Sequence, residues 1–385
     1  MRPGRRGIVI RAATLAALAT LPVSCGDSPA LTLPVTVEVL DYTPAHTYEL
    51  RDETLATLTT VEPFAGAAGR IWGGGAISAS GDVGNTEADV RRNLAVRGAH
   101  GLHLAYTIDA GVARALDYDT FAIFTIYREL ERVRTFYATL GVPDAALAPL
   151  PAYYRGRIEV FFLPLLASDN AAYVPAIDGF LLFNDFLSGN DVPLALNLGV
   201  VGHEYGHAVF EHLAWRNQLP PGDYLPWPGA TVNHLRALDE GLADLFGATL
   251  VDDAAFVGRS VASLGDERDL SVVRVATTGL LAAATGDDPS TFDPYKLGAV
   301  IASALWSAGG VIGRNEVAGY VVLAEQAEAG RIGETFRIVE FLDAVAAAAR
   351  ANPAHQQALC AAFATALAVA GTPPCCTTGG ACSAP

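Results

Sequence analysis

The spacing of apolar residues changes twice along this 385-residue chain. From residue 30 to about residue 107, short β-prone runs such as Val35-Thr36-Val37-Glu38-Val39 alternate with Gly and Asp, including Gly73-Gly74-Gly75. A period of two predicts half-buried strands joined by turns. No Gly-Lys-Ser/Thr follows the triple glycine, which therefore reads as a flexible turn and not as a phosphate cradle. A helical stripe comes next. Phe121, Phe124, Tyr127, Leu130, Val133, Tyr137 and Leu140 recur at steps of three and four, with Asp119 or Thr120 able to cap and Gly141 and Pro143 to stop. Strand character returns over 157–187, in Ile158-Glu159-Val160-Phe161-Phe162 and, after a turn at Asp178-Gly179, in Phe180-Leu181-Leu182-Phe183.

From 194 to 370 helical spacing dominates, as in Leu297, Val300, Ile301, Ala304 and Leu305, or Phe336, Val339, Leu342 and Val345. Gly371 and Pro373-Pro374 close the last helix. The pattern predicts an α+β chain without internal repeats. A β-rich first lobe (25–193) carries one long helix at about 120–140, a mainly helical second lobe follows (194–371), and a Cys-rich tail ends the chain (372–385). A cleft between lobes is the natural place for a site.

The first 24 residues read differently. Arg2, Arg5 and Arg6 precede an apolar stretch of about ten residues, half of the roughly twenty that a bilayer requires, and small residues lead to Cys25. This predicts a signal peptide and export, with Cys25 as a bacterial lipidation site and the lipid as the only membrane contact. Leu21 stands four positions before the cysteine, one further than is usual there. Without Cys25 an even set remains, Cys360, Cys375, Cys376 and Cys382, and an oxidising compartment favours two disulfides over a zinc knuckle. Adjacent Cys375 and Cys376 would strain if joined, so each is expected to pair with Cys360 or Cys382. The formal charge of −16, more negative still once the four arginines before Cys25 leave, disfavours nucleic acid as a partner.

Chemistry concentrates in the helical half. In His203-Glu204-Tyr205-Gly206-His207, four residues advance a helix by about 400°, which leaves the two imidazoles some 40° apart and able to reach one metal ion. Glu204 lies about 100° round, placed to hydrogen-bond a water on that metal as a general base. Gly199, Gly202 and Gly206 form a stripe that lets another backbone come close. The segment Leu238-Asp239-Glu240-Gly241-Leu242-Ala243-Asp244 offers that partner. Glu240 can be the third ligand and Asp244, one turn on, the acceptor for an outer imidazole N–H, whereas Asp239 reads as solvent-facing. Two imidazoles and a carboxylate leave one coordination position open, as in catalytic zinc sites. A metzincin-type third histidine is excluded by Leu213 and Phe210, and Glu211 and His212 read as supporting or surface residues.

The two motifs resemble those of thermolysin-like metallopeptidases, and within them the fungalysin branch. The resemblance implies a two-lobe fold with an active-site cleft, zinc on His203, His207 and Glu240, Glu204 as base, Asp244 as support, and hydrolysis of peptide bonds in a peptide or protein substrate. It also implies that Asn170-Ala171-Ala172-Tyr173 is a substrate-pairing edge strand, with Asn170 and Ala171 as substrate-binding residues. Tyr295, in Asp293-Pro294-Tyr295-Lys296, occupies the place of the family's oxyanion-binding histidine. The segment from His207 to Glu240 is longer than the family's, which implies a loop insertion at 220–228. Calcium, which could accompany the zinc, has no identifiable ligand set. Two rival readings stand beside this one: a metal-binding but inactive envelope lipoprotein that binds peptides or envelope partners, and a structural protein with a chance motif.

Overall fold

The computed structural model of the chain describes residues 31–79, 86–160, 163–165, 170–183, 192–215 and 227–377. The expected signal peptide, Cys25, most of the 220–228 insertion and Cys382 lie outside the described residues. Before the long helix the strands are β1 (Val35–Tyr42), β2 (Tyr48–Leu55), β3 (Leu58–Thr60), β4 (Phe64–Gly66), β5 (Gly69–Gly73), β6 (Ala76–Ala79), β7 (Leu94–Arg97), β8 (Tyr106–Asp109) and β9 (Val112–Ala115), with the short helix α1 (Glu87–Asn93) between β6 and β7. The alternation seen in the sequence is the pleat. Val35, Val37 and Val39 of β1 are buried while the residues between them are not. Gly74 and Gly75 have positive φ and turn the chain from β5 into β6, the role expected of the glycine run.

Helix α2 (Tyr118–Thr139) follows, capped by Asp117 and not by Asp119 or Thr120: the Asp117 carboxylate accepts from Thr120 N–H, one turn in. Gly141, at φ 89°, ends it as expected. Strands β10 (Pro151–Tyr154), β11 (Arg157–Val160), β12 (Leu163–Leu165), β13 (Asn170–Val174) and β14 (Gly179–Phe183) complete the sheets. Among the described residues the sheet orders are β2-β1-β9-β8, β13-β14-β10-β5-β4-β3 and β12-β11-β6-β7. Strand β13 thus lies at the edge of the six-stranded sheet, antiparallel to β14 with Ala171 opposite Leu182.

The remainder is helical: α3 (Leu198–Leu213), α4 (Gly229–Val251), α5 (Ala262–Arg268), α6 (Thr278–Ala284), α7 (Pro294–Ile312), α8 (Arg314–Glu328), α9 (Ile338–Ala348) and α10 (Pro353–Ala366). In α9 the buried stripe is Ile338, Phe341, Leu342 and Val345, turned slightly from the expected one because the helix begins after Phe336, at the Arg337–Glu340 cap. Helix α7 is long and apolar enough to cross a membrane, but two-thirds (67 %) of it is buried, packed against α4, α8 and α10. One apolar core runs from β1 through α2 into α3, α4 and α7, so the β-rich N-terminal region and the helical C-terminal region share a core. Tyr137 of α2 joins them: its ring stacks on Tyr205 and its hydroxyl donates to the Gly202 carbonyl at 3.1 Å. A disulfide links Cys360 of α10 to Cys376, tying the tail to the last helix as expected.

Candidate metal centre

Helices α3 and α4 carry the site, and small residues let them cross closely. Asn197 caps α3, its Oδ1 accepting from Gly199 and Val200 N–H, while its Nδ2 donates to the Phe256 carbonyl and Ser260 Oγ. A Cβ on Gly247 of α4 would lie 2.5 Å from the Gly199 carbonyl oxygen, so no larger residue fits that crossing. Behind α4, a Cβ on Gly241 would lie 2.6 Å from the Gly298 carbonyl of α7. Glu240 is therefore fixed on a helix pressed from both sides.

At this crossing His203, His207 and Glu240 converge and form a candidate metal-binding triad. The two Nε2 atoms are 3.1 Å apart, and Glu240 Oε2 lies 3.5 Å from that of His203 and 3.8 Å from that of His207. Bonds of 2.0–2.2 Å in a tetrahedral site put ligand atoms about 3.4 Å apart, so these separations fit one ion. Each ring also has its Nδ1 within 3.0 Å of a carboxylate oxygen, Asp244 for His203 and Asp239 for His207, and a neutral ring with its proton on Nδ1 keeps a lone pair on Nε2 for a cation. Among the described residues Glu240 Oε2 is buried without a hydrogen-bond partner, which leaves its lone pairs available to a cation.

Both imidazoles have carboxylate support. His203 Nδ1 is 3.0 Å from Asp244 Oδ1. Burial alone would raise the Asp244 carboxyl, but Arg268 and His203 hold it down at about 2. Arg268, in α5, grips both Asp244 oxygens and lies 3.3 Å from His203 Nδ1. Asp239, expected to face solvent, instead stands with Oδ1 2.8 Å from His207 Nδ1, though off the hydrogen-bond line. The correction follows from helix geometry: residues 239 and 240 are about 100° apart and straddle the one imidazole. Burial works to lower the His207 pKa, yet Asp239, Glu240 and Glu204 together push it up to about 10, so a cation taken up here displaces a proton.

Glu204 lies beside the triad, with an oxygen 4.0 Å from His203 Nε2. Its other oxygen accepts from Tyr173 N–H of the edge strand at 2.8 Å. Burial raises its carboxyl pKa despite the two histidines and that N–H. Asn170 and Ala171 line the same cavity, and the Asn170 side chain accepts from Ala171 N–H at 2.9 Å. Tyr295, the second residue of α7, lines it too, its ring 4.9 Å from the Arg268 guanidinium. The Glu240 charge, then burial, raises its pKa, so its hydroxyl stays protonated and able to donate. The cavity measures about 580 Å³, with apolar walls from Leu194, Val200, Phe256, Val257 and Leu264.

The sequence motifs turn Asp239 to solvent and do not point to Arg268 or to the Tyr173 N–H. Arg268 follows no periodic signal, and a backbone donor leaves no mark in a sequence. Of the two positions expected to be supporting or surface residues, Glu211 is buried and His212 is half-buried, its side chain 6 % exposed. No family model matches the chain, and no curated protein matches it in sequence.

Proposed function

We propose that the chain is an exported zinc metallopeptidase hydrolysing peptide bonds. The observation that carries this reading is the convergence of two supported imidazoles, a first carboxylate in reach of both, a second, largely buried carboxylate and a sheet edge on one cavity. Two nitrogen ligands and one oxygen ligand, with a side left open, suit zinc. Zinc held there supplies Lewis acidity and brings the pKa of a water toward neutrality. Glu204 takes the proton from the attacking water and returns it to the leaving amine. Tyr295 offers its hydroxyl to the developing oxyanion. The edge of β13, at Asn170 and Ala171, pairs with substrate backbone.

A thermolysin-like two-lobe arrangement belongs to the same proposal, as do export and lipidation at Cys25. The acidic chain takes a peptide or protein, not nucleic acid. Tyr295 in a histidine's place favours one alternative, an envelope lipoprotein that binds zinc and peptides without cleaving them. Digestion of a peptide library by wild type and Glu204→Gln separates the two. The peptidase reading requires cleavage that is lost in Glu204→Gln with zinc retained; zinc without Glu204-dependent cleavage selects the alternative.

A further inference from the structure

The strand that holds Glu204 is itself fastened by a residue for which the proposed chemistry has no use. His212 lies near the end of α3 with its side chain only 6 % exposed. Its Nδ1 is 2.9 Å from the Ala146 carbonyl oxygen and its Nε2 is 2.8 Å from Asp178 Oδ1. A carbonyl oxygen and a carboxylate only accept, so both ring nitrogens must donate, and only the imidazolium does that. The same Asp178 oxygen accepts from the Tyr173 hydroxyl at 2.9 Å. The Tyr173 backbone N–H, in turn, is the donor to Glu204.

Glu204 and His212 are eight residues apart on one helix, about 12 Å along its axis. Tyr173 bridges that span, its backbone at the Glu204 end and its hydroxyl, through Asp178, at the His212 end. We propose that His212 carries a standing proton and, through Asp178 and Tyr173, positions strand β13 against Glu204. Other charged groups around this pair are Arg91 of α1 and Glu211, with Arg134 and Asp144 beside the turn that carries Ala146. Burial disfavours the imidazolium, but Asp178 and the Ala146 carbonyl outweigh it and raise the His212 pKa. Its contribution to stability is therefore complete below about pH 6.5, the unfolded value, and is lost as pH rises through the raised folded one.

The role as a positioning residue for a base rests on the proposed function; the charge and the strand contact do not. In the metal-free full-length chain at pH 7, 15N NMR is expected to find both His212 ring nitrogens protonated. An unprotonated nitrogen there overturns the proposal. In His212→Gln the Tyr173 amide should exchange with solvent on the order of tenfold faster, the loss of one charge-assisted hydrogen bond, while the Val209 amide is unchanged. Equal exchange at Tyr173 overturns it as well. Should His212→Gln not fold, Asp178→Asn gives the same exchange readout and should leave His212 with one unprotonated nitrogen. Where wild type cleaves peptides, His212→Gln should lower kcat on the order of tenfold with KM little changed, and an unchanged kcat refutes the catalytic part. A wild-type chain without cleavage ends the peptidase reading, while the NMR and exchange results still decide the clamp.

Discussion

Two carboxylates support the candidate metal ligands, and replacing each by asparagine should have different consequences. Asp239 is about one-third exposed (31 %) and faces His207, whereas the Asp244 side chain is 3 % exposed and also neutralises Arg268. Loss of a carboxylate behind a ligating histidine typically costs tenfold to a hundredfold in metal affinity, or about 1.4–2.8 kcal/mol. Asp239→Asn should fall at the lower end, because its contact is off line, and should leave the metal-free fold within about 1 kcal/mol of wild type. Asp244→Asn should lower affinity at least as much and also destabilise the metal-free protein by about 3–5 kcal/mol, because the Arg268 guanidinium stays buried without its counter-charge. Competition for zinc against a chelator gives the affinities, and denaturant melts of the metal-free chains give the stabilities. Equal stability losses in the two variants, or unchanged zinc affinity in both, would refute the reasoning.

Glu325 of α8 is fully buried with no hydrogen-bond partner among the described residues, and burial raises its pKa. A raised folded-state value means stability is lost as pH climbs past the unfolded value of about 4.3, so Glu325→Gln should stabilise increasingly from pH 5 to pH 8 and do little at pH 4. Melts across that range check it, and a gain independent of pH would count against the buried acid. Gly247→Ala forces a Cβ to within 2.5 Å of the Gly199 carbonyl and should cost about 1–3 kcal/mol by overpacking, with weaker zinc binding as the helices part. Full retention of both properties would show the crossing to be looser than described. The disulfide from Cys360 to Cys376 closes a loop of 16 residues, so Cys376→Ser should cost about 3 kcal/mol, measured by chemical denaturation.

Much of this was legible because it depends on local periodicity. The stripe from Phe121 to Tyr137 gives α2, the alternation from Val35 to Val39 gives β1, and four-residue spacing places His203 beside His207. Glu240 and Asp244 were found because they share one face of a helix rich in small residues. Where the reading failed, the missing information was tertiary. Asp239 looked solvent-facing until α3 was packed against α4, Asp117 replaced two equally plausible caps one turn on, and Arg268 comes from a short helix with no signature. His212 reads in the sequence only as a supporting or surface residue, because its partners, Ala146 and Asp178, lie 66 and 34 residues away in the chain.

The most direct measurement is the zinc content and coordination of the purified chain, by elemental analysis and X-ray absorption. One zinc per chain is expected, bound by two imidazole nitrogens and carboxylate oxygen, with occupancy falling sharply in His203→Ala, His207→Ala and Glu240→Gln. A chain that holds no zinc, or holds it equally well in Glu240→Gln, contradicts a metal centre built across α3 and α4.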